Sequence, residues 1–308
     1  MRYSSEAELR SLLRTRLAPL IDSLPQPPRD PSGIESPETT IQGAIVAVTR
    51  KLNDQGWFAY LVGGTLRDLL VGDEADHGLQ PRDVDIIVEG ATSDQLRDVL
   101  LESLSLERLT RFGGLHLSQS LSSGFRVQFD IWTLADTWGF RSQNIAPRIE
   151  DFPGTTFLNI DSCAFELMEP QGRERAFFEK GFFESIARRT LDLNYAPNPY
   201  PHVCAARALL LAAELDFHIA KPLAEFILNY SGMGGTKALI EAQQSHYGVV
   251  RSGANELEKW LHEIEAQVNS GCALIHIEVR DERRRSLRRS LRREIPMADN
   301  HGAYTSHS

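Results

Sequence analysis

Asp83 and Asp85 alternate with valine and isoleucine in DVDIIVEG (83–90), an otherwise apolar run closed by glycine. Such a run reads as a β-strand, and a strand sends successive side chains to opposite faces. Val84, Ile86 and Val88 then share one face and the two aspartates the other, about 7 Å apart along the strand. Two carboxylates that close repel, and burial raises the cost. A divalent cation, which takes hard oxygen ligands, relieves both problems. FRVQFDIWTL (125–134) repeats the arrangement, with Val127, Phe129 and Ile131 alternating with Arg126, Gln128 and Asp130. If the two strands lie near each other, three carboxylates converge, enough for a two-metal centre supporting in-line phosphoryl transfer. The alternative is an exposed sheet face carrying solvated acids.

The stretch just upstream bears on that choice. WFAYLV (57–62) reads as a strand and TLRDLLVG (65–72) as a short helix closed by Gly72, with Gly63 and Gly64 between them. Glycine allows close backbone approach, and free amides at a helix start favour an anion, so the turn can cradle phosphate. A tight structural turn is the other reading. A glycine turn, Arg67-Asp68 on the helix and a two-aspartate strand shortly afterwards form together a far more specific pattern than any one of them.

Elsewhere the chain alternates between helical and strand periodicities. Residues 4–24 predict an amphipathic helix with Leu9, Leu12, Leu13, Leu17 and Leu20 on one side, and 25–38 a proline-rich linker. Helices are predicted at 41–55, at 93–104 with Ser93 as N-cap, at 202–217 and at 254–268, and LHLSQS and FRVQFDIWTL as antiparallel strands. The fold class is α+β. A catalytic head at 41–165 follows an N-terminal helix and linker (1–40). A mostly helical, neck-like region (166–295) and a frayed tail (296–308) complete the chain. No apolar run approaches the roughly 20 residues of a membrane helix, and MRYSSEAELRSLLRTRL lacks the apolar core of a secretory leader. Three scattered cysteines fit a reducing compartment, so a cytoplasmic protein without membrane partners is expected. The histidines His202, His218, His246, His262 and His276 show no metal-ligand spacing.

Net charge is −9, unevenly spread. RDERRRSLRRSLRR (280–293) sets eight arginines against two acids, a local +6 that leaves −15 on the remainder. An acidic body does not attract nucleic acid over its whole surface, so any RNA contact is local. The candidates are Arg283, Arg284, Arg285, Arg288, Arg289, Arg292 and Arg293, with Leu287, Leu291 and Ile295 as an apolar stripe beneath; a solvated helix face is the alternative.

The series Gly63, Gly64, Arg67, Asp68, Leu70, Gly72, then Asp83 and Asp85, resembles the head domain of class II CCA-adding enzymes and bacterial poly(A) polymerases, within the polymerase-beta-like nucleotidyltransferase superfamily. The likeness extends more faintly through RFGGLHL (111–117), FLNIDSCAFEL (157–167), EKGFFESIARR (179–189) and ARALLLAAELDFHI (206–219), where Arg207 falls on a family arginine. The resemblance implies a head with a mixed, largely antiparallel sheet and flanking helices. It implies that Asp83 and Asp85, with Asp130 as third carboxylate, hold Mg2+ or Mn2+. It assigns Gly63, Gly64, Arg67, Asp68 and Arg207 to the nucleotide. It makes an NTP the donor and an RNA 3′ end, tRNA included, the acceptor. Two family motifs are missing. Pro153, Gly154 and Thr155 stand where the family has Arg-Arg-Asp, and Pro201 and Cys204 replace the Asp and Arg that read the base edge. The metal-and-phosphate half is therefore present and the base-reading half absent. A binding module without turnover, or a regulatory or toxin-like transferase acting on another macromolecule, is the alternative.

Overall fold

The structure, a computed structural model, describes residues 5–21, 41–71, 83–110, 112–121, 126–168 and 172–291. The proline-rich stretch, Gly72 and the tail lie outside the described residues. Two compact units divide the chain, Met1–Pro197 and Asn198–Ser308.

The first unit is built on a seven-stranded sheet. Its strands are β1 (Phe58–Val62), β2 (Asp83–Glu89), β3 (Ser105–Leu109), β4 (Leu115–Ser120), β5 (Arg126–Thr133), β6 (Cys163–Glu166) and β7 (Phe177–Glu179), in the spatial order β3-β4-β5-β2-β1-β6-β7. Every ladder is antiparallel except β2–β5. The sheet thus continues past residue 165 to Glu179. A short strand, β8 (Thr190–Leu191), comes later in the same unit.

Alternation along β5 is as the sequence predicts: Val127, Phe129 and Ile131 are buried, and Gln128, Asp130 and Trp132 half-buried. The face bearing the acids is not simply solvated. Ile87, two residues beyond Asp85, joins Tyr60, Val62, Leu134, Phe140, Ile149, Phe152 and Ala164 in an apolar cluster. The carboxylates therefore stand at the margin of a second core.

The helices of this unit are α1 (Glu6–Ile21), α2 (Ile41–Asp54), α3 (Gly64–Val71), α4 (Ser93–Leu100), α5 (Trp138–Gln143) and α6 (Phe182–Arg188). α2 and α3 pack on β1, and α4 on β5. α1 packs on α2, α3 and α6. Its buried stripe is Leu9, Leu13, Leu17 and Ile21 at a strict spacing of four, while Leu12 and Leu20 are only half-buried. Arg16 of α1 donates to the carbonyl of Leu69 at 2.5 Å, supplying the last turn of α3 with a donor that the helix itself lacks. α4 ends at Leu100 rather than 104, and its N-cap is Thr92, not Ser93. Thr92 and Gln95 form a reciprocal capping box.

The second unit is mainly helical: α7 (Pro201–Leu215), α8 (Lys221–Gly232), α9 (Gly235–Tyr247), α10 (Ala254–Asn269) and α11 (Asp281–Leu291), with β9 (His218–Ala220) and β10 (Leu274–Ile275) paired antiparallel. α7 is apolar nearly all round and buries ten of its residues, so it is the central helix against which α8, α9 and α11 pack. No helix among the described residues is long and apolar enough to cross a membrane.

Candidate active site on the sheet face

The one parallel ladder of the sheet fixes the acids. Register pairs Asp85 with Asp130 and Asp83 with Gln128. Residues directly opposite in neighbouring strands lie about 5 Å apart and share a face. Asp85 and Asp130 are therefore neighbours, as the sequence expected if the strands met. Asp83 takes the register position two before Asp85, and its side chain lies outside the described part of the structure. Among the described side chains no group of three His, Cys, Asp or Glu is gathered as a metal site. The donor chemistry of Asp85 and Asp130, hard oxygens side by side on a half-buried surface, fits magnesium or manganese.

Asp130 has a partner the sequence did not reveal. His116 on β4 is opposite it in register, and its Nδ1 lies 2.5 Å from Asp130 Oδ1. Four residues beyond Asp85 on β2, Glu89 accepts from the Tyr60 hydroxyl at 3.0 Å. Burial first, and Glu89 second, push the Tyr60 hydroxyl well above its ordinary range.

Gly63 ends β1 with φ +69°, where a side chain is strained. A Cβ built there would stand 2.9 Å from Asp85 Oδ2. The glycine thus serves the turn and the acid together: it lets the chain reverse into α3 and leaves room for the Asp85 carboxylate. At Gly64 a Cβ would instead meet Arg67 Nη2 at 3.0 Å.

The buried Arg67 donates from Nη1 to Asp161 Oδ1 at 2.6 Å and from Nε to Asp68 Oδ1 at 2.9 Å. The guanidinium thus ties α3 to the 3-10 turn at Asn159–Asp161. Arg67 and Asp68, two of the five residues assigned to the nucleotide by resemblance, thus have carboxylate or guanidinium partners within the chain. Asp161, 94 residues from Arg67, carries no sequence signal of that role.

No family model matches the chain, and no curated protein matches it by sequence. The likeness lies in fold. A CCA-adding enzyme solved in complex with CTP aligns at TM-score 0.53 and 16% identity, over 84% of this chain and 55% of that one. The chain spans about half the length of that enzyme. A CCA-adding enzyme with ATP aligns at TM-score 0.49 and 14% identity, over 90% of this chain and 68% of that one. The Thermotoga maritima CCA-adding enzyme complexed with tRNA_CCA gives 0.47 and 15%, over 92% and 68%. What is shared with the CTP complex is the fold: a mixed, largely antiparallel sheet with flanking helices, followed by a helical region.

The positions that depart from the family motifs have structural occupations of their own. Pro153, Gly154 and Thr155 form a 3-10 turn. Thr155 packs so closely on α5 that a Cβ at Gly139 would stand 2.3 Å from its own Cβ. Asn194 holds the same turn by donating to the Pro153 carbonyl at 2.7 Å. In the second unit Pro201 opens α7 and Cys204 is buried. Burial pushes the Cys204 thiol up to about 12. A buried, protonated thiol offers a base edge nothing to read. Arg207 lies one turn further along α7 and is half-buried.

The arginine helix is largely turned inward. Arg283 donates from Nε and Nη2 to the two carboxylate oxygens of Glu256, at 2.8 and 2.7 Å, and also to the Arg251 carbonyl and to Ser252 Oγ. Arg284 donates to Asp216 Oδ1 at 2.5 Å and to the Ala213 carbonyl at 3.3 Å, and Arg288 to the Glu214 carbonyl at 3.2 Å. Those carbonyls belong to the last turn of α7, where no following amide remains to bond them and the helix dipole favours a cation. Arg285 is exposed, beside a hollow of about 270 Å³ that Asp281, Arg284 and Arg288 also line. The side chain of Arg289, and Arg292 and Arg293 altogether, lie outside the described residues.

Proposed function

We propose that the chain is a metal-dependent nucleotidyltransferase that moves a nucleotidyl group from an NTP to an acceptor hydroxyl, the acceptor being an RNA 3′ end. The observation that carries the reading is the pairing of Asp85 with Asp130 across the parallel ladder, with Gly63 against the Asp85 carboxylate. A solvated acidic face would need neither a positive-φ glycine fitted to one aspartate nor two carboxylates in register.

In this reading Asp83, Asp85 and Asp130 hold Mg2+ or Mn2+. The Gly63–Gly64 turn and the first amides of α3 face the triphosphate, where backbone can approach without side-chain hindrance. When bound, the cations supply positive charge at the acceptor oxygen and at the departing pyrophosphate. The acceptor hydroxyl gives up its proton to solvent water as its oxygen bonds to the α-phosphorus, the α–β bridge bond breaks, and pyrophosphate leaves with the electron pair. The aspartates orient and bind; they form no covalent intermediate. Buried Cys204 and Pro201 leave selection of the base to other groups, so the choice of nucleotide differs from an ordered C-C-A addition.

The test is incubation of the full chain with each α-labelled NTP and Mg2+, together with total cellular RNA and protein. Label should enter the RNA pool. Label in the protein pool alone would assign the chain to a transferase acting on another macromolecule. Magnesium-dependent NTP binding without any incorporation would leave a binding module. Primer extension on a tRNA lacking its CCA end, with single NTPs and mixtures, should show no switch from CTP to ATP. Faithful C-C-A addition would place the template elsewhere in the chain.

A further inference from the structure

The ladders β4–β5 and β5–β2 set His116, Asp130 and Asp85 in one row across three adjacent strands. His116 is 7% exposed, and its Nδ1 sits 2.5 Å from Asp130 Oδ1. A carboxylate only accepts hydrogen bonds, so Nδ1 is the donor and carries the proton. Resting on the transferase reading above, we infer that His116 is a positioning residue for the acid row: its Nδ1–H fixes the Asp130 carboxylate and leaves Oδ2 as the oxygen offered to a divalent cation.

The physical need is specific. The terminal torsion of an aspartate is broad, and Asp85 on the next strand repels Asp130 when no cation lies between them. Left alone, Asp130 would scatter over several orientations, and a cation would have to order it on binding. A hydrogen bond from the strand on the other side removes that freedom beforehand, as outer partners of metal-binding carboxylates do. Imidazole carries this donor on a short, planar side chain with few torsions to fix. Burial of His116 between flanking strands limits its own rotamers, so the constraint is passed on rather than shared.

Two measurements test this, and neither is turnover. The first is the ring-nitrogen NMR spectrum of the histidines in the full chain without metal, assigned to His116 by its loss in His116→Asn. Nδ1 should carry the proton, and Mn2+ should broaden the signal. A bare Nδ1 overturns the inference without recourse to any other variant. The second is Mn2+ titration of wild type, His116→Leu and His116→Asn. Loss of the donor should weaken Mn2+ binding about tenfold, the lower end for an outer partner of a metal ligand, and asparagine, whose amide can donate from a similar place, should restore most of it. Equal Mn2+ affinity in wild type and His116→Leu, or no Mn2+ binding in wild type, overturns it. Should His116→Leu fail to fold, the spectrum and the asparagine variant decide. If Mn2+ binding follows this pattern while no NTP label is incorporated by the wild type, His116 positions the acids as inferred and the transferase reading is the one that falls.

Discussion

The acid row of the first unit and the arginine helix of the second are both dense runs of one charge, yet the chain uses them in opposite ways. On the sheet, Asp85 and Asp130 are brought together by register, with one oxygen of Asp130 held by His116. On α11, Arg283, Arg284 and Arg288 are drawn onto acids and carbonyls of their own unit. Like charges that converge without an internal counterion are costly unless a ligand completes them. Arginines that find carboxylates and helix-end carbonyls are already complete. Charge density alone therefore does not mark a binding surface. What the proposed site has instead is like charge set side by side by strand register.

The largest consequence falls on Asp85. Asp85→Ala should reduce label transfer about a thousandfold, because loss of a metal-binding carboxylate removes on the order of 4 kcal/mol from the transition state. Its thermal midpoint should hold or rise, since one of two repelling acids is gone. Steady-state incorporation and a melting curve measure both. Near wild-type transfer, or a large drop in midpoint, would make the acids structural and erase the contrast with α11.

The reverse pattern is expected at Arg283. Arg283→Ala should cost about 2 kcal/mol of stability, because Glu256 and the Arg251 carbonyl both lose a partly buried donor. The effect should depend on pH. Burial pushes the Glu256 carboxyl up, but hydrogen bonds from Arg283 and Ser252 outweigh it and leave the carboxyl below its ordinary value of 4.5. A carboxyl depressed in the folded state contributes stability that is present above that ordinary value and lost as pH falls through the folded one. Denaturant titrations should therefore show the gap between wild type and variant intact at neutral pH and closing in acid below about pH 4.5. A gap that persists unchanged in acid would mean that the Glu256 tie is not what stabilises α11.

These two regions also show why the sequence was readable in one and not the other. Strand alternation assigns every residue of DVDIIV and FRVQFD to a face, so the neighbouring acids were foreseeable once β2 and β5 paired. The clustered arginines of α11 carry no such rule. Their allocation depends on Glu256, Asp216 and the end of α7, which lie 27 to 74 positions away in the chain. The same holds for Arg67 and Asp161 and for His116 and Asp130. Arg67 and Asp130 stand out in the sequence, but Asp161 and His116 look ordinary in their local stretches, and only the tertiary contact pairs them. Even the start of α4 turned on one residue, since Thr92 and Ser93 are both good caps and the capping box with Gln95 selects Thr92.

A smaller effect separates the two glycines. Gly63→Ala must hold an alanine at φ +69° and move the Asp85 carboxylate, whose Oδ2 is 2.9 Å from the new Cβ. It should cost about 1 kcal/mol of stability for the backbone and, by displacing the acid, about tenfold in transfer. Gly64→Ala presses only on the far end of Arg67 and should be milder in transfer. Paired kinetics on the two variants test the order. If Gly64→Ala is the more damaging, the phosphate side of the turn matters more than its fit to Asp85.

The smallest effect concerns the one exposed arginine among those of α11 whose side chains are described within the run 283–288. Arg285 flanks a hollow lined by Arg284 and Arg288, whose guanidiniums are drawn toward α7. If RNA touches this helix, Arg285 is the side chain able to meet a phosphate without giving up a partner of Arg284 or Arg288. Arg285→Ala should then weaken RNA binding less than tenfold and lower the slope of log affinity against log salt by about one, the signature of a single phosphate contact. Stability should stay within about 0.5 kcal/mol, as for an exposed side chain away from special contacts. The measurement is RNA binding by the full chain at several salt concentrations, with a melting curve alongside. An unchanged salt slope would confine α11 to its internal role and sharpen the contrast with the acid row: one run of charge tied to partners of its own unit, the other proposed to take a cation.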